Sequence, residues 1–290
     1  MTLATPAFSF TKYHGLGNDF ILVDARHQRV AIDPSLFAQL CRRHFGVGAD
    51  GVLVLAPSHR ADALLRTFNA DGTEAAMCGN GLRCAAHLLA QRLDRSEVTL
   101  ASPQRLHRCT VDGLTVSATL GAPEKITSDL VLSLSQGPIL TTYVDTGVPH
   151  LVLFVDDLTT PQFAALAKKL RFHPTLAPAG ANVNFAQKTS SATYSIRTYE
   201  RGVEQETLAC GTGAAATAVA AWYRDSTSTH LTIQTASKMT LTFDLFPSNH
   251  LLKEVRMTGG ISPVFEGVLH PLHVHNQAML KQVVTRKGQA

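Results

Sequence analysis

Residues 78–90 read CGNGLRCAAHLLA and residues 210–222 read CGTGAAATAVAAW, and the predicted fold is built around these two stretches. In each, a Cys-Gly-x-Gly turn interrupts a strand pattern and is followed by small apolar residues that suit a helix. A helix so rich in alanine, with hardly a charge, is predicted to be buried. Because the segments around each turn have the pattern of strands, we expect mainly antiparallel sheets to wrap around the two helices.

The two stretches belong to an internal repeat. Cys78 and Cys210 lie 132 positions apart. Three further matches keep nearly the same spacing: Tyr13-x3-Gly17 with Tyr143-x3-Gly147, Gly48-Ala49-Asp50 with Gly180-Ala181-Asn182, and Arg66-Thr67-Phe68 with Arg197-Thr198-Tyr199. Four matches in one order are not a chance result, so the chain is predicted to contain two homologous halves.

The repeat predicts an α/β protein of the α+β type with two pseudo-symmetric lobes and a binding cleft between them. We place the N-terminal lobe at residues 1–122, since Gly121-Ala122-Pro123 marks a break, and the C-terminal lobe at residues 123–264. The alternating segment 111–120 is predicted to form a strand. Further strands are predicted at 20–25, 51–56, 64–70, 151–156, 194–200 and 231–235.

Composition limits the classes of partner. With 45% hydrophobic and 17% charged residues, the 290-residue chain is predicted to be compact and folded. A net charge of +4 without a basic block predicts no nucleic-acid partner. Apolar runs such as 151–155 are too short to cross a bilayer, and the first residues lack a signal-peptide pattern. We therefore expect a cytoplasmic protein with no membrane partner, and the sequence leaves open whether it forms a homodimer.

The cysteines are five in number, an odd count that favours reduced thiols: Cys41, Cys78, Cys84, Cys109 and Cys210. The C-x5-C spacing of residues 78–84 matches no zinc site, and the H-x-x-H-x-H at 270–275 is typical of a solvated surface strand. Gly15-Leu16-Gly17 lacks the third glycine of a dinucleotide fingerprint. We expect no metal and no cofactor, and we interpret Cys41, Cys84 and Cys109 as small buried hydrophobes.

Cys78 and Cys210 differ from the other three because each precedes a predicted helix. The positive end of the helix dipole favours a thiolate, so we expect the pKa of each thiol to be lowered toward neutrality. The free N–H groups of the first turn can bind a carboxylate. If the two halves close on one ligand, a thiolate can remove a proton from one face of a carbon while a thiol returns one to the other face. This arrangement predicts inversion of an amino acid stereocentre without pyridoxal.

Six motifs carry a family resemblance: HGLGNDFILVD at 14–24, GVGADG at 46–51, FNADGTEAAMCGNGLRC at 68–84, GVPH at 147–150, ANVNF at 181–185 and YERGVEQETLACGTGAAA at 199–216. The set resembles the diaminopimelate epimerase family, from about residue 9 to the stretch at 257–267. The resemblance implies a pyridoxal-independent isomerase that interconverts LL- and meso-diaminopimelate, a precursor of lysine and peptidoglycan. It also implies that the C-terminal segment 265–290 returns to the N-terminal lobe.

By motif match, the resemblance implies that Cys78 and Cys210 are the catalytic pair. It implies that the substrate is bound by Asn18, Asn69, Gly79, Asn80, His150, Asn182, Glu200, Arg201, Gly211 and Thr212. The four residues at the helix starts hold the reacting carboxylate through backbone N–H groups, while Arg201 suits the far carboxylate and Glu200 an ammonium group. Simpler readings stay open: Asn18 and Asn69 could cap turns, and His150 could be an ordinary strand histidine.

The chain departs from the family at one position of the GVPH motif. Members usually have G-N-P-H, whereas residue 148 is a valine, which has neither the donor nor the acceptor of an amide. We hypothesise looser selectivity for the far end of the substrate.

Two alternative functions stay open. One is another cofactor-independent amino acid racemase of the same superfamily, related to proline or hydroxyproline racemases, which would have no need of Asn69, Glu200 and Arg201. The other is a non-catalytic amino acid binding protein, since a closing cleft also suits capture.

Overall fold

The computed structural model describes residues 7–30, 32–225 and 228–269. The strands of the first half are β1 Phe8–Gly15, β2 Asn18–Asp24, β3 Gly51–Ala56, β4 Ala63–Asn69, β5 Glu74–Ala75, β6 Glu97–Ala101, β7 Leu106–Asp112 and β8 Thr115–Gly121. The remaining strands are β9 Lys125–Leu134, β10 Gly137–Asp145, β11 Pro149–Phe154, β12 Asn182–Ser190, β13 Thr193–Glu200, β14 Gln205–Thr207, β15 His230–Gln234, β16 Thr240–Ser248, β17 Leu251–Gly260 and β18 Ser262–Leu269. The helices are α1 Pro34–Cys41, α2 Gly79–Leu93, α3 Phe163–Arg171 and α4 Gly211–Asp225, with a 3₁₀ helix at Pro174–Leu176.

Both halves of the chain have the same order of elements. In the first half, a β1–β2 hairpin leads through α1 to β3, which lies parallel to β2, and β4 leads through α2 to β6, which lies parallel to β4. In the second half, β10, β11, α3, β12, β13, α4 and β15 repeat this path with the same parallel pairs. The internal repeat therefore describes a repeated three-dimensional unit.

Two antiparallel pairings, β1 with β18 and β8 with β17, connect the two halves. In the second half, β9 pairs antiparallel with β10, and the corresponding partner of β1 in the first half is β18, from the far end of the described chain. Strands β8 and β17 also pair antiparallel, so hydrogen bonds join the last strands of the two repeats. Residues 270–290, which include the histidines at 270–275 and most of the predicted returning segment, lie outside the described residues.

The two long helices form the centre of the core. All side chains of α4 from 211 to 221 are buried, as are those of α2 from 79 to 90. One continuous apolar cluster includes both helices together with strands of both halves. Alanine and glycine allow this because small side chains let the sheets approach the helix axis closely. Smaller clusters pack around α1 and α3.

The predicted fold class, two pseudo-symmetric lobes built from sheets around buried helices, is confirmed. The strand predicted at 111–120 is wrong, because Gly113, at a φ of +53°, turns the chain there and separates β7 from β8. The short helix α1 was not predicted, although Asp33 caps it through a bond from the Ser35 N–H and Pro34 occupies its first turn. Cys41, Cys84 and Cys109 are buried, as expected.

Candidate active site

Asn18 lies beside the first cysteine because of the tight turn that precedes it. Leu16 and Gly17 both have positive φ, +59° and +86°, and form the two-residue turn of the β1–β2 hairpin. The Asn18 Nδ2 donates to Asp50 Oδ2 at 2.9 Å, which fixes the orientation of the amide. Its Oδ1 therefore faces the site, where it lies 3.8 Å from the Cys78 Sγ and accepts from Asn80 Nδ2 at 3.3 Å.

Each candidate catalytic cysteine caps the helix that follows it. Cys78 has extended backbone angles, and its Sγ accepts the N–H of Gly81 at 3.4 Å. The Sγ of Cys210 accepts the N–H of Gly213 at the same distance. The sulfurs thus take the place of the usual capping oxygen. The N–H groups of the first two residues in each helix have no carbonyl partner within the helix, so they are available to an anion.

The starts of α2 and α4 meet at the centre of the molecule. A Cβ placed on Gly211 would lie 3.4 Å from the Cα of Gly79 and 3.3 Å from the Asn80 Oδ1. The Asn80 Nδ2 also donates to the Ala209 carbonyl, the residue before Cys210, at 3.4 Å. The structure therefore brings Cys78, Gly79, Asn80, Cys210, Gly211 and Thr212 into one site that both halves share. Only residues without a side chain allow the two helix starts to approach this closely.

The expected lowering of the thiol pKa values is wrong for this arrangement of the chain. Burial raises the pKa of Cys78, and it raises that of Cys210 well above the ordinary value. The N–H groups of Gly81 and Gly213 act in the opposite direction but are outweighed. Removal of water from around the sulfurs therefore destabilises the thiolate by more than the helix N-terminus stabilises it.

Glu200 raises the pKa of both thiols and is hydrogen bonded to one of them. Its carboxylate accepts a short hydrogen bond from the Thr207 hydroxyl and lies beside Cys210, to which it is hydrogen bonded. Burial raises the pKa of Glu200, and the negative charge of Glu200 is the second cause of the raised pKa of Cys210. A carboxylate next to Cys210 thus favours the thiol form of that residue.

Asn182 is the first residue of β12, and Arg201 directly follows the last residue of β13, so the two lie next to each other. Asn182 accepts the backbone N–H of Arg201 at 2.7 Å and donates to the Pro149 carbonyl at 3.3 Å. No carboxylate of the described residues forms an ion pair with Arg201, although its charge acts on Tyr143, Asp145 and His150. A partly buried guanidinium without a protein counterion suits a substrate carboxylate.

His150 lies fully buried on β11, one residue after Pro149. Asn184 holds it: the Asn184 Oδ1 accepts the Thr198 hydroxyl at 2.9 Å, while its Nδ2 donates to the Leu151 carbonyl and to the His150 Nδ1 at 3.1 Å. The imidazole proton is therefore on Nε2, which has no partner among the described residues. Burial and the nearby Arg201 charge lower the pKa of His150 to about 3, so the ring is neutral.

Asn69 is the one predicted site residue that no described contact links to the others. It is exposed at the end of β4, where its Nδ2 donates to the Thr73 hydroxyl at 3.0 Å and its N–H donates to the Thr73 carbonyl. In this arrangement Asn69 closes a turn, which is the simpler of the two readings that the sequence left open.

The structure adds three site residues that the sequence analysis missed: Asp50, Asn184 and Thr207. Asp50 and Thr207 lie within the motifs at 46–51 and 199–216, but each acts through another site residue, so the motifs did not single them out. Asn184 could have been found, since it lies two positions after Asn182 and thus on the same face of a strand. Within the described residues, no three His, Cys, Asp or Glu side chains are placed to share a metal ion.

Sequence comparison gives a consistent family assignment. The model of the family described as "Diaminopimelate epimerase" matches twice, at residues 10–126 and 142–258. A diaminopimelate epimerase of Archaeoglobus fulgidus is 38% identical over 280 residues, covering 90% of this chain and 96% of the relative. One from Aquifex aeolicus is 36% identical over 274 residues, covering 90% and 97%.

Solved structures support the fold. A Bacillus anthracis phenazine biosynthesis protein of the PhzF family superposes with a TM-score of 0.69 at 14% identity, covering 91% of this chain and 99% of that chain. A hydroxyproline epimerase from Agrobacterium vitis, with bound trans-4-hydroxy-L-proline, gives 0.67 at 17% identity, covering 92% of each chain. No helix in the described part of the chain has the length and apolar character needed to span a bilayer.

Proposed function

Because the chain belongs to the diaminopimelate epimerase family, we propose that it interconverts LL- and meso-diaminopimelate, with Cys78 and Cys210 acting on opposite faces of one α-carbon. The observation that carries this proposal is the meeting of two Cys-Gly helix starts, with Gly79 and Gly211 in close contact. A single carboxylate bound between them reaches N–H groups of both helices. The carbon attached to that carboxylate then lies between the two sulfurs.

The reaction is a proton exchange with no net change in atoms. One cysteine, as the thiolate, takes the α-proton, and the other, as the thiol, donates its proton to the opposite face of the carbanion. The N–H groups of Gly79, Asn80, Gly211 and Thr212 stabilise the negative charge that the carboxylate gains as it takes on enolate character. The exclusion of water that raises both thiol pKa values also strengthens these bonds.

The remaining site residues distinguish diaminopimelate from smaller amino acids. Arg201 has a free positive charge for the far carboxylate, and Asn182 fixes the backbone beside it. Glu200 offers a partly buried carboxylate to an ammonium group, and the Nε2–H of His150, unpartnered among the described residues, is available to an oxygen of the substrate. We include Asn18 and Asn69 among the binding residues, Asn69 on the family resemblance alone.

Two further expectations belong to the proposal. The site lies between an N-terminal lobe of residues 1–122, completed by the C-terminal segment, and a C-terminal lobe of residues 123–264. The pairing of β18 with β1 supports this division.

We also place the protein in the cytoplasm, since all five cysteines are free thiols and thiols persist in a reducing compartment.

Incubation of the protein with LL- or meso-diaminopimelate in deuterated water tests the proposal. We expect interconversion of the two stereoisomers with one deuterium gained at the inverted α-carbon, followed by proton NMR and chiral chromatography. Cys78→Ala and Cys210→Ala are the matched controls. Proline, hydroxyproline and lysine serve as comparison substrates.

The outcomes separate the candidate functions. Exchange with proline or hydroxyproline but not with diaminopimelate would assign the chain to the alternative racemase activity. Binding of diaminopimelate without loss of its α-hydrogen would assign it to a non-catalytic binding protein.

A further inference from the structure

Arg83 is a fully buried guanidinium that the reaction described above does not use. It lies on the first turns of α2, five residues after Cys78, between that helix and β17. Its Nη1 contacts the Gly79 carbonyl at 3.3 Å and the Met257 Sδ at 3.1 Å, and its Nη2 donates to the Asn80 Oδ1 at 2.9 Å. Its Nε has no partner among the described residues.

The charge of Arg83 has no counterion in the described part of the chain. Its contacts are a carbonyl, an amide and a thioether, and it appears in no ion pair. Burial lowers the pKa of Arg83 to about 10, so the group still carries its charge at neutral pH. A buried, unpaired charge destabilises the folded state because the charge loses its hydration without gaining a counterion. An anion that forms during the reaction would supply the missing counterion.

Arg83 also orients the side chain of Asn80, which forms a hydrogen bond to the second half of the chain. The Asn80 Oδ1 accepts a hydrogen bond from the Arg83 guanidinium, and the Asn80 Nδ2 donates to the Asn18 Oδ1 and to the Ala209 carbonyl. The guanidinium therefore fixes which end of the Asn80 amide faces the site. With the opposite orientation, the Oδ1 of Asn80 would face two acceptors, and the bonds across the cleft would be lost.

The internal repeat shows that the fold does not need a cation at this position of the helix. Cys78 and Cys210 correspond, so the position matching Arg83 is Ala215, which is fully buried at the same place in α4. The second cysteine thus has no cation of this kind. The Glu200 charge acts on both sulfurs, but Glu200 is hydrogen bonded to Cys210. The two otherwise equivalent sulfurs therefore differ in that Cys78 has a buried cation on its own helix and Cys210 has a hydrogen-bonded carboxylate.

We propose that Arg83 is a positioning residue of the isomerisation: its guanidinium stabilises the Cys78 thiolate and fixes Asn80 across the cleft, so that Cys78 is the base and Cys210 the acid in the resting enzyme. This inference rests on the proposed function, in which one sulfur must be ionised and the other protonated. The groups facing Cys78 are Asn18, Arg83, Cys84, Glu200 and Cys210. Among them, Arg83 is the cation, and the Glu200 carboxylate acts on Cys78 in the opposite direction, so the thiolate depends on Arg83 for a favourable charge.

The test measures ionisation of Cys78 without substrate. In a Cys210→Ser background, the rate of alkylation by iodoacetamide as a function of pH reports the Cys78 thiolate, since Cys41, Cys84 and Cys109 are buried. Arg83→Met, similar in length and uncharged, is expected to move the midpoint upward by about one unit or more, which lowers the rate at neutral pH about tenfold. The acid limb of the kcat/KM profile is expected to move in the same direction in the parent protein.

Arg83→Lys is the matched variant, because it keeps the charge and loses the forked contacts to Gly79 and Asn80. We expect it to keep the alkylation midpoint near that of wild type and to lower kcat. An unchanged midpoint in Arg83→Met, or an equal shift in both variants, would overturn the electrostatic role.

Should Arg83→Met not fold, Arg83→Gln, which is also uncharged, takes its place in the same assay on Cys78, the one of the five thiols that is not fully buried. An upward shift of the midpoint is expected, and an unchanged midpoint overturns the proposal. Because alkylation needs no substrate, a failed deuterium exchange assay rejects the proposed function separately.

Discussion

The buried His150 is expected to reduce the stability of the folded protein at acidic pH. The ring is fully buried and its pKa in the folded protein is about 3, whereas an unfolded chain binds a proton at a histidine near the ordinary value of about 6.5. As the pH falls through 6.5, the unfolded state gains a proton that the folded state does not accept. His150 therefore lowers the free energy of unfolding progressively between these two values.

The magnitude follows from the size of the shift. Each pH unit in that window costs about 1.4 kcal/mol for one proton, so the loss between about pH 8 and about pH 5 is roughly 2 kcal/mol. Burial also lowers the pKa values of His87 and His107, which add to the loss in the same direction. The raised pKa of Glu200 acts in the opposite direction, because the folded state binds that proton first. A variant lacking only His150 isolates its share.

Urea unfolding at the two pH values measures this share. His150→Gln keeps an oxygen that can accept from Asn184 but cannot titrate, so we expect it to lose roughly 2 kcal/mol less than wild type on acidification. His59→Gln, at an exposed position, is the matched control for removal of a histidine. The readout is the difference between pH values, so a constant packing defect in the variant does not affect it.

Equal losses in wild type and His150→Gln would refute the reasoning. Such a result would mean that the imidazole is accessible to a proton in the folded protein, and the assignment of its hydrogen to Nε2 would fail with it.

The remaining predictions concern the cleft. Cys78→Ala and Cys210→Ala should each abolish inversion while the circular dichroism spectrum stays that of wild type; near-normal turnover in either removes that sulfur from the mechanism. Arg201→Gln should raise KM for diaminopimelate about 10- to 100-fold with a smaller effect on kcat, since a charged hydrogen bond is lost, and steady-state kinetics showing the opposite split would exclude a binding role. Val148→Asn should raise turnover of diaminopimelate relative to simpler amino acids, and an unchanged ratio discards the selectivity hypothesis. Air oxidation should inactivate the enzyme reversibly by joining the two active-site thiols, whereas full activity after prolonged oxidation contradicts their proximity.

Most of the fold was predictable because its strongest signals are local. The glycines after Cys78 and Cys210 and the alanine-rich runs that follow define two buried helices, and the repeat shows that both halves share one design. The pairing of β18 with β1 could not be derived from spacing, since it joins the two ends of the described chain. The division of 111–120 into two strands depended on Gly113, whose turn a pattern of alternating residues does not reveal.

The structure brings most of the predicted site residues together, whereas the electrostatics of the site could not be predicted from the sequence. Motifs identified both cysteines and the helix starts that meet around them. The pKa of a thiol, however, depends on how much water the folded chain removes, and no local pattern contains that quantity. The helix N-terminus alone predicted a thiolate, whereas burial made both sulfurs weaker acids. The spacing of Asn184 from Asn182 predicts the strand face on which it lies, but its role depends on three partners distant in sequence, which the spacing does not reveal.

A duplicated scaffold presents a chemical problem, because two equivalent cysteines would ionise equally and a two-base reaction needs one of each form. Among the many positions at which the two halves differ, two matching pairs differ in a charge that acts on the sulfurs. The last residue of β4 is Asn69 and that of β13 is Glu200, while Arg83 in α2 corresponds to Ala215 in α4. The first exchange places a negative charge beside Cys210, and the second places a positive charge near Cys78. Glu200 raises the pKa of both thiols but is hydrogen bonded to Cys210, so this carboxylate and the cation in α2 both favour Cys78 as the base and Cys210 as the acid, which is the assignment that the alkylation assay measures.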